Sequence, residues 1–332
     1  MPKSKDTCPV HTIGELLSHE PQAQVTGNEN VTFTRAASIL ENCTDAMTWL
    51  RSNLANCQKV LKESKSSVVF CDHKLDVPSG LTERTCFLAV ENPKLSFLKA
   101  VARLFPKHRL KGIHATAVVS PDANLGTNVA IGPYAVIEAD TVVGNDCIIG
   151  AYTMVHSGVT LGDRVHLHEH VNVGSDGFGF VRDEEGILVK FEHIGGVLIG
   201  DDVEIYPFSN VDRGTLGNTT IGRGSKLDHY VHAGHNTKVG EDTILTAGTV
   251  LCGGAQVGAK CWTAVGSIVR EKVIVGNEVT IGMNSVVTKN VPDGSTWLGS
   301  PAEDIHDFVG KRKLVATLHQ EGRRPNGHGS ES

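Results

Sequence analysis

Aromatic side chains are scarce in this chain, at 5% of residues, although apolar residues reach 40%. A core filled with large rings is therefore excluded, and the 36 glycines point to small side chains on a tight, regular backbone. The eight cysteines (Cys8, Cys43, Cys57, Cys71, Cys86, Cys147, Cys252 and Cys261) form no CxxC pair. Scattered in a long chain, they read as reduced thiols and predict a cytoplasmic protein. Basic residues are not in excess: the formal charge is −6, so composition gives no reason to expect nucleic acid as a partner. No apolar run approaches the roughly 20 residues that a membrane-spanning helix needs. No apolar stretch follows the first basic residues, so no secretory signal is expected.

What is present is a period of six. From Ile113, every sixth residue to Val173 is aliphatic; the frame breaks over 179–198 and resumes at Ile199, Ile205 and Val211. After a four-residue insertion it runs from Ile221 to Val287, and only Ala233 and Thr263 depart from Val, Ile or Leu. Four residues after each lead position stands Ala, Val, Thr, Ser, Cys or Gly, and half the hexads carry Gly directly after the lead. An α-helix has period 3.6 and disfavours so much Gly and β-branching, while a simple amphipathic strand has period two. One large and one small inward residue in six fits short strands joined by tight corners and coiling repeatedly, a parallel β-helix. At 332 residues the chain has room for this repeat and its attachments.

The flanks differ. Residues 1–109 lack hexads; "SVVFCDHKL" (67–75) and "TCFLAVEN" (85–92) read as buried strands, and "PKLSFLKAVARLF" (93–105) has helical spacing with Pro at its start. This predicts a small α/β domain before a β-helix over 110–300. A helix is expected over 301–320, with Ile305, Phe308, Val309 and Leu314 or Val315 on one side, and a disordered tail over 321–332.

Three blocks carry a family resemblance: "VGSDGFGF" (173–180), "IGDDVEIYPFSNVDRGTLGNTTIGRGSKLDHYVHAGHN" (199–236) and "VTIGMNSVVTKNVPDGSTWLGSP" (279–301). With the segment at 112–137 they resemble the UDP-3-O-(3-hydroxyacyl)glucosamine N-acyltransferases of lipid A synthesis. The resemblance implies a left-handed, triangular β-helix with three hexads per coil, and a homotrimer with sites between prisms. It also implies transfer of a 3-hydroxyacyl chain from acyl carrier protein to the 2-amine of a UDP-linked, 3-O-acylated glucosamine. No cofactor of the enzyme's own is implied, since the acyl donor rides on the 4′-phosphopantetheine of the carrier. The amino-terminal domain would hold the uracil.

In this pattern the general base falls on His235 and the oxyanion donor on Gly253. The spacing adds independent support: Gly253 follows His235 by one coil, and residues one coil apart stack at about 4.8 Å. A histidine suits the task because its unperturbed pKa is about 6.5. Otherwise His235 is a surface histidine at a corner. Asn236 completes the His-Asn pair. Asp228 either orients the site or bonds corner amides; Asp212 and Arg213 either position a sugar or phosphate or hold the insertion. Asp176 and Phe178 of the GSDGFGF loop are candidate substrate contacts. Where the family commonly has a second histidine, Lys272 stands, able to supply a point charge to a phosphate. Trp49 maps to the uracil-stacking aromatic, without the residues that usually follow it, and otherwise packs as core. Lys311, Arg312 and Lys313 either meet the acidic carrier or form a solvated helix face.

His229, His232 and His235 could also suggest zinc, as in a hexapeptide-repeat carbonic anhydrase. His229 and His235 lie six apart, on adjacent faces of one coil, so one chain cannot converge the triplet. "HLHEH" (166–170) reads as a polar outer face, and no metal is expected. An acetyltransferase acting on another nucleotide sugar, and a non-catalytic scaffold, are the remaining readings.

Overall fold

The computed structural model describes residues 9–41, 43–106 and 110–321. Cys8 and the expected tail beyond Glu321 lie outside them. The chain divides into two compact units, residues 1–109 and 110–332.

The second unit is a parallel β-solenoid. Val136 and Ile137 pair with Met154 and Val155, eighteen residues on (154 − 136), and those pair in turn with Asn172 and Val173. The same step repeats on three faces, giving sheets of ten, nine and eight strands. Lead residues such as Ile149, Val155, Leu167, Val211 and Leu251 are fully buried in one continuous core. Each such side chain contributes about 1.5–3 kcal/mol through burial. The small residue four places later is mostly buried too, and several bond one coil away: Thr153 donates to the His168 carbonyl at 2.6 Å and Ser225 to the Gly240 carbonyl at 2.7 Å. A larger side chain there would break both packing and hydrogen bond.

The third residue after the lead turns the corner in the left-handed region, at φ of 55–59° for Asn128, Tyr134, Asp140, Asp146 and Tyr152. Asn, Asp and Gly reach this conformation cheaply, whereas other residues are held there at a cost of roughly 1–2 kcal/mol. At one corner the aromatic rings offset this by stacking from coil to coil: Tyr134 on Tyr152 at 5.1 Å, Tyr152 on His170 at 5.0 Å and His170 on Phe208 at 4.9 Å.

Two interruptions leave the rungs intact. Val173 pairs with Val211, a step of 38 (211 − 173) and so an excursion of 20 beyond one coil; Val211 pairs with Ala233, a step of 22 (233 − 211) and so an insertion of four. The excursion carries a hairpin, Phe180–Arg182 against Leu188–Lys190. Both interruptions leave at the same corner in successive coils, and they bond to each other through Ile194 N–H to the Thr215 carbonyl (2.9 Å) and Gly214 N–H to the Gly196 carbonyl (3.1 Å).

The solenoid ends in the helix Ile305–Glu321. Its first turn packs near the last strands, with Phe308 close to Gly299. The expected one-sided stripe is only partly used: Val309, Leu314, Val315 and Leu318 are exposed.

The first unit holds a five-stranded sheet in the order Gln24–Gly27, Cys86–Ala89, Val68–Cys71, Ala46–Trp49, Arg35–Ala36. Only the first pairing is antiparallel. Helix Pro93–Leu104 begins at Pro93, and the Asn92 side chain accepts from the Leu95 amide. Its core holds large rings, with Phe33, Phe70 and Phe87 fully buried. Burial also pushes the Cys71 and Cys86 thiols up to about 12, so both behave as small apolar core residues.

Candidate active site

Because the coil repeats in register, residues at one corner line up along the solenoid. Five successive coils supply the interrupted corner with, in order, the excursion from Gly174, the insertion Gly214–Gly217, His235 with Asn236, Gly253 with Gly254, and Lys272. The excursion, the insertion, the His235 coil and the Lys272 coil line a cavity of about 660 Å³, with Phe180, His193, Thr215, His235, Asn236 and Lys272 among its walls.

His235 is half-buried at the centre of this cavity. The Thr215 amide donates to Asn236 Oδ1 at 3.0 Å, which fixes that atom as the oxygen. The same oxygen lies 3.1 Å from His235 Nδ1, so Nδ1 carries the proton and donates. The neutral ring therefore keeps its lone pair on Nε2, the tautomer a base requires. Nε2 points at Gly253: a Cβ built on Gly253 would lie 2.5 Å from it. Only glycine leaves room for the ring there. Among the described residues the Gly253 amide has no acceptor, so it is a donor available beside the basic nitrogen. The GSDGFGF loop covers the other side of the ring, and a Cβ on Gly177 would fall 2.7 Å from His235 Cβ. Lys272 approaches from the next coil, its amide bonded to the Gly253 carbonyl at 3.2 Å.

The remaining sequence candidates fall elsewhere. Asp212 is buried under Asn210 and Ser175, and His232 Nε2 lies 3.7 Å from its carboxylate. Burial pushes its carboxyl above the ordinary range, against the hydrogen bond from Asn210 and the charge of His232. Arg213 spends its guanidinium on backbone, donating to the Gly174 carbonyl at 2.8 Å and to the Ser157 carbonyl; this holds the start of the excursion. Asp176 pairs with Lys190, whose hydrogen bond keeps the Asp176 carboxyl below its usual range. Phe178 is 87% exposed and touches Phe180. Asp228 lies outside the cavity and accepts from the His229 and Ala247 amides. Among the described residues, His229, His232 and His235 do not gather as a metal-ligand group. On the terminal helix Lys311 pairs with Glu303, Arg312 covers the Phe308 ring at 5.0 Å, and Lys313 is exposed.

One site residue carried no sequence signal. His193 is 4% exposed, its ring meets that of His235 edge-on at 5.3 Å, and neither of its nitrogens has a partner among the described residues. It stands alone where the frame is broken, and only its buried, unsatisfied state in the cavity marks it out.

In the first unit, Trp49 lines a separate cavity of about 700 Å³ together with Ser38, Arg51, Asn53 and Phe97. The Lys94 ammonium lies 5.8 Å from the centre of its ring.

Comparison with known proteins places these features. Residues 140–175 match the bacterial transferase hexapeptide (six repeats) model. The chain is 38% identical over 272 residues to a UDP-3-O-acylglucosamine N-acyltransferase of Helicobacter hepaticus, covering 77% of this chain and 82% of that one. It is 45% identical over 210 residues to the protein of the same name from Delftia acidovorans, over 63% of this chain and 62% of the relative. The match thus spans about three-fifths of that relative's length. Among solved structures, the UDP-N-acetylglucosamine acyltransferase of Francisella novicida superposes with a TM-score of 0.54 at 22% identity, over 60% of this chain and 73% of that one. LpxA from Acinetobacter baumannii gives 0.53 at 22% identity, over 60% and 77%. At this identity the two structures speak for the solenoid fold alone.

Proposed function

This chain belongs to the UDP-3-O-acylglucosamine N-acyltransferase family, and from that premise we propose that it acylates the 2-amine of a UDP-3-O-acylglucosamine with a 3-hydroxyacyl chain carried on acyl carrier protein, a step of lipid A synthesis in the cytoplasm. The observation that carries this reading is the packing of His235, which lines the cavity, directly against Gly253, whose amide has no acceptor among the described residues.

The amine nitrogen attacks the thioester carbonyl carbon. A carbon–nitrogen bond forms, and negative charge grows on the carbonyl oxygen, where the Gly253 N–H meets it. His235 Nε2 takes the proton that the amine must lose. Collapse breaks the carbon–sulfur bond, and the proton passes from His235 to the departing pantetheine sulfur. Asn236 and Thr215 hold the ring in the receptive tautomer throughout. His193 offers the substrate a hydrogen-bonding group that is otherwise unpaired, and leaving such a group unpaired costs about 1–3 kcal/mol. Lys272 contributes positive charge to a diphosphate or to the carrier arm.

The Trp49 cavity fits a planar base stacked on the indole, with Arg51 and Asn53 at hand for its polar edge. The His235 cavity is open on its outer side, and a homotrimer would close it with a neighbouring prism. The exposed basic residues of the terminal helix suit an acidic carrier.

The test is product identification by mass spectrometry. UDP-3-O-acylglucosamine and UDP-N-acetylglucosamine are offered with carrier-linked 3-hydroxyacyl donor or acetyl coenzyme A. An amide product formed only with the free amine and the carrier-linked donor is expected. Product only from acetyl coenzyme A, or only an ester, would refute the assignment.

A further inference from the structure

We propose that the outer face of the solenoid binds one divalent transition-metal ion, zinc or a close chemical relative, through His166, His168 and Glu204. The site is distinct from the acyl-transfer cavity and does not rest on that function.

The strand pattern creates the cluster. Leu167 is fully buried, so its neighbours His166 and His168 both face outward. The excursion lengthens the next coil but keeps its register, so His166 pairs directly with Glu204. In sequence these residues are 38 apart (204 − 166), which hides the relation. In space His166 Nδ1 lies 3.6 Å and His168 Nε2 lies 2.8 Å from the same oxygen of Glu204. All three donor atoms lie within 4.8 Å of one another. Tetrahedral zinc with bonds near 2.1 Å requires donors about 3.4 Å apart. The observed spacings straddle that value, so small side-chain rotations suffice.

The surroundings hold the donors in place. The His168 ring is stacked between His166 at 3.9 Å and Tyr206 at 4.2 Å. Lys226 follows Glu204 in the next rung, but its ammonium bonds the Asp202 carbonyl rather than capping Glu204. Burial works to raise the Glu204 carboxyl, yet the hydrogen bond from His168 and the charges of His168 and His166 leave it below its ordinary range; it is an anionic ligand. Two imidazoles and a carboxylate suit zinc, cobalt, nickel or copper better than magnesium or calcium. Three protein ligands leave a fourth position for water. The ion takes the place of the direct His168–Glu204 contact. It also ties the rung before the excursion to the rung after it.

Untagged full-length protein, stripped with chelator, is titrated with Zn²⁺ by calorimetry and with Co²⁺ by visible absorbance. One ion per chain is expected, with four-coordinate cobalt bands and a higher thermal midpoint. His166→Ala, His168→Ala and Glu204→Gln should each weaken binding by at least about tenfold, while His235→Ala retains it. Thermal melting of the metal-free variants verifies their fold, and the near-isosteric Glu204→Gln keeps the test open if an alanine variant unfolds. Absence of saturable binding, equal binding in all three variants, or loss of the ion in His235→Ala overturns the proposal.

Discussion

The histidines of the solenoid occupy two contrasting settings. His235 sits at a corner where two consecutive coils are interrupted, and its ring is covered by glycine-rich backbone and paired with the neutral oxygen of Asn236. His168 sits on an uninterrupted strand face, stacked between rings and paired with the carboxylate of Glu204. Register alone assembles the second setting. The first needs register and also departures from it: Thr215 on the four-residue insertion orients Asn236, and Gly177 on the excursion packs on His235. The repeat aligns groups, and the interruptions enclose them. Partial enclosure by fixed backbone holds donors in place, which acyl transfer requires.

The contrast breaks most sharply at His235. His235→Ala should reduce turnover by about 10² to 10⁴, the usual contribution of a positioned general base, with an unchanged thermal midpoint, because a corner side chain adds little to the core. Steady-state kinetics and melting on one preparation test this. Wild-type turnover in the variant would remove the mechanism's centre.

A smaller effect belongs to the excursion's own contribution. His193→Ala should lower kcat/KM about tenfold, the loss of roughly one hydrogen bond to substrate. His193→Gln should restore part of it, since an amide can donate and accept in the same place. If glutamine and alanine behave alike, His193 acts through packing.

The smallest effect lies outside both settings. Reversing Lys311, Arg312 and Lys313 to Glu should raise KM for carrier-linked donor severalfold at low salt, with the difference shrinking as salt rises. A pantetheine-linked donor lacking the carrier should be unaffected. An unchanged KM for the carrier-linked donor would take the helix out of donor recognition.

Much of this was legible in the sequence, for a physical reason: period six is imposed by the inward row of each rung, so the core writes itself into the chain. The family resemblance pointed to His235 and Gly253, and the eighteen-residue step put them one coil apart at one corner. What escaped reading depends on relations the period does not encode. Glu204 lies beyond the excursion from His166, so its separation is one coil plus twenty. His193 stands inside the excursion, where no frame assigns it a direction. The left-handed corner residues include Tyr134, His170 and Lys272, which carry no intrinsic signal for that conformation. In the first unit, the strands Val68–Cys71 and Cys86–Ala89 and the helix from Pro93 were visible as apolar runs. The polar edge strand Gln24–Gly27 was not. On the terminal helix the apolar spacing was visible, but spacing alone does not say whether anything covers it.

The interruptions also bear on how such a protein can change over generations. The rung Val173, Val211, Ala233 closes with the same parallel pairing whether the corner carries four extra residues or twenty. Loop length at this corner is therefore nearly invisible to the core. Variation there alters the walls of the acyl-transfer cavity while the fold's stability stays put. The length of this corner and the closure of the rung are thus largely separate variables: residues added there reshape the cavity walls without disturbing the core pairing.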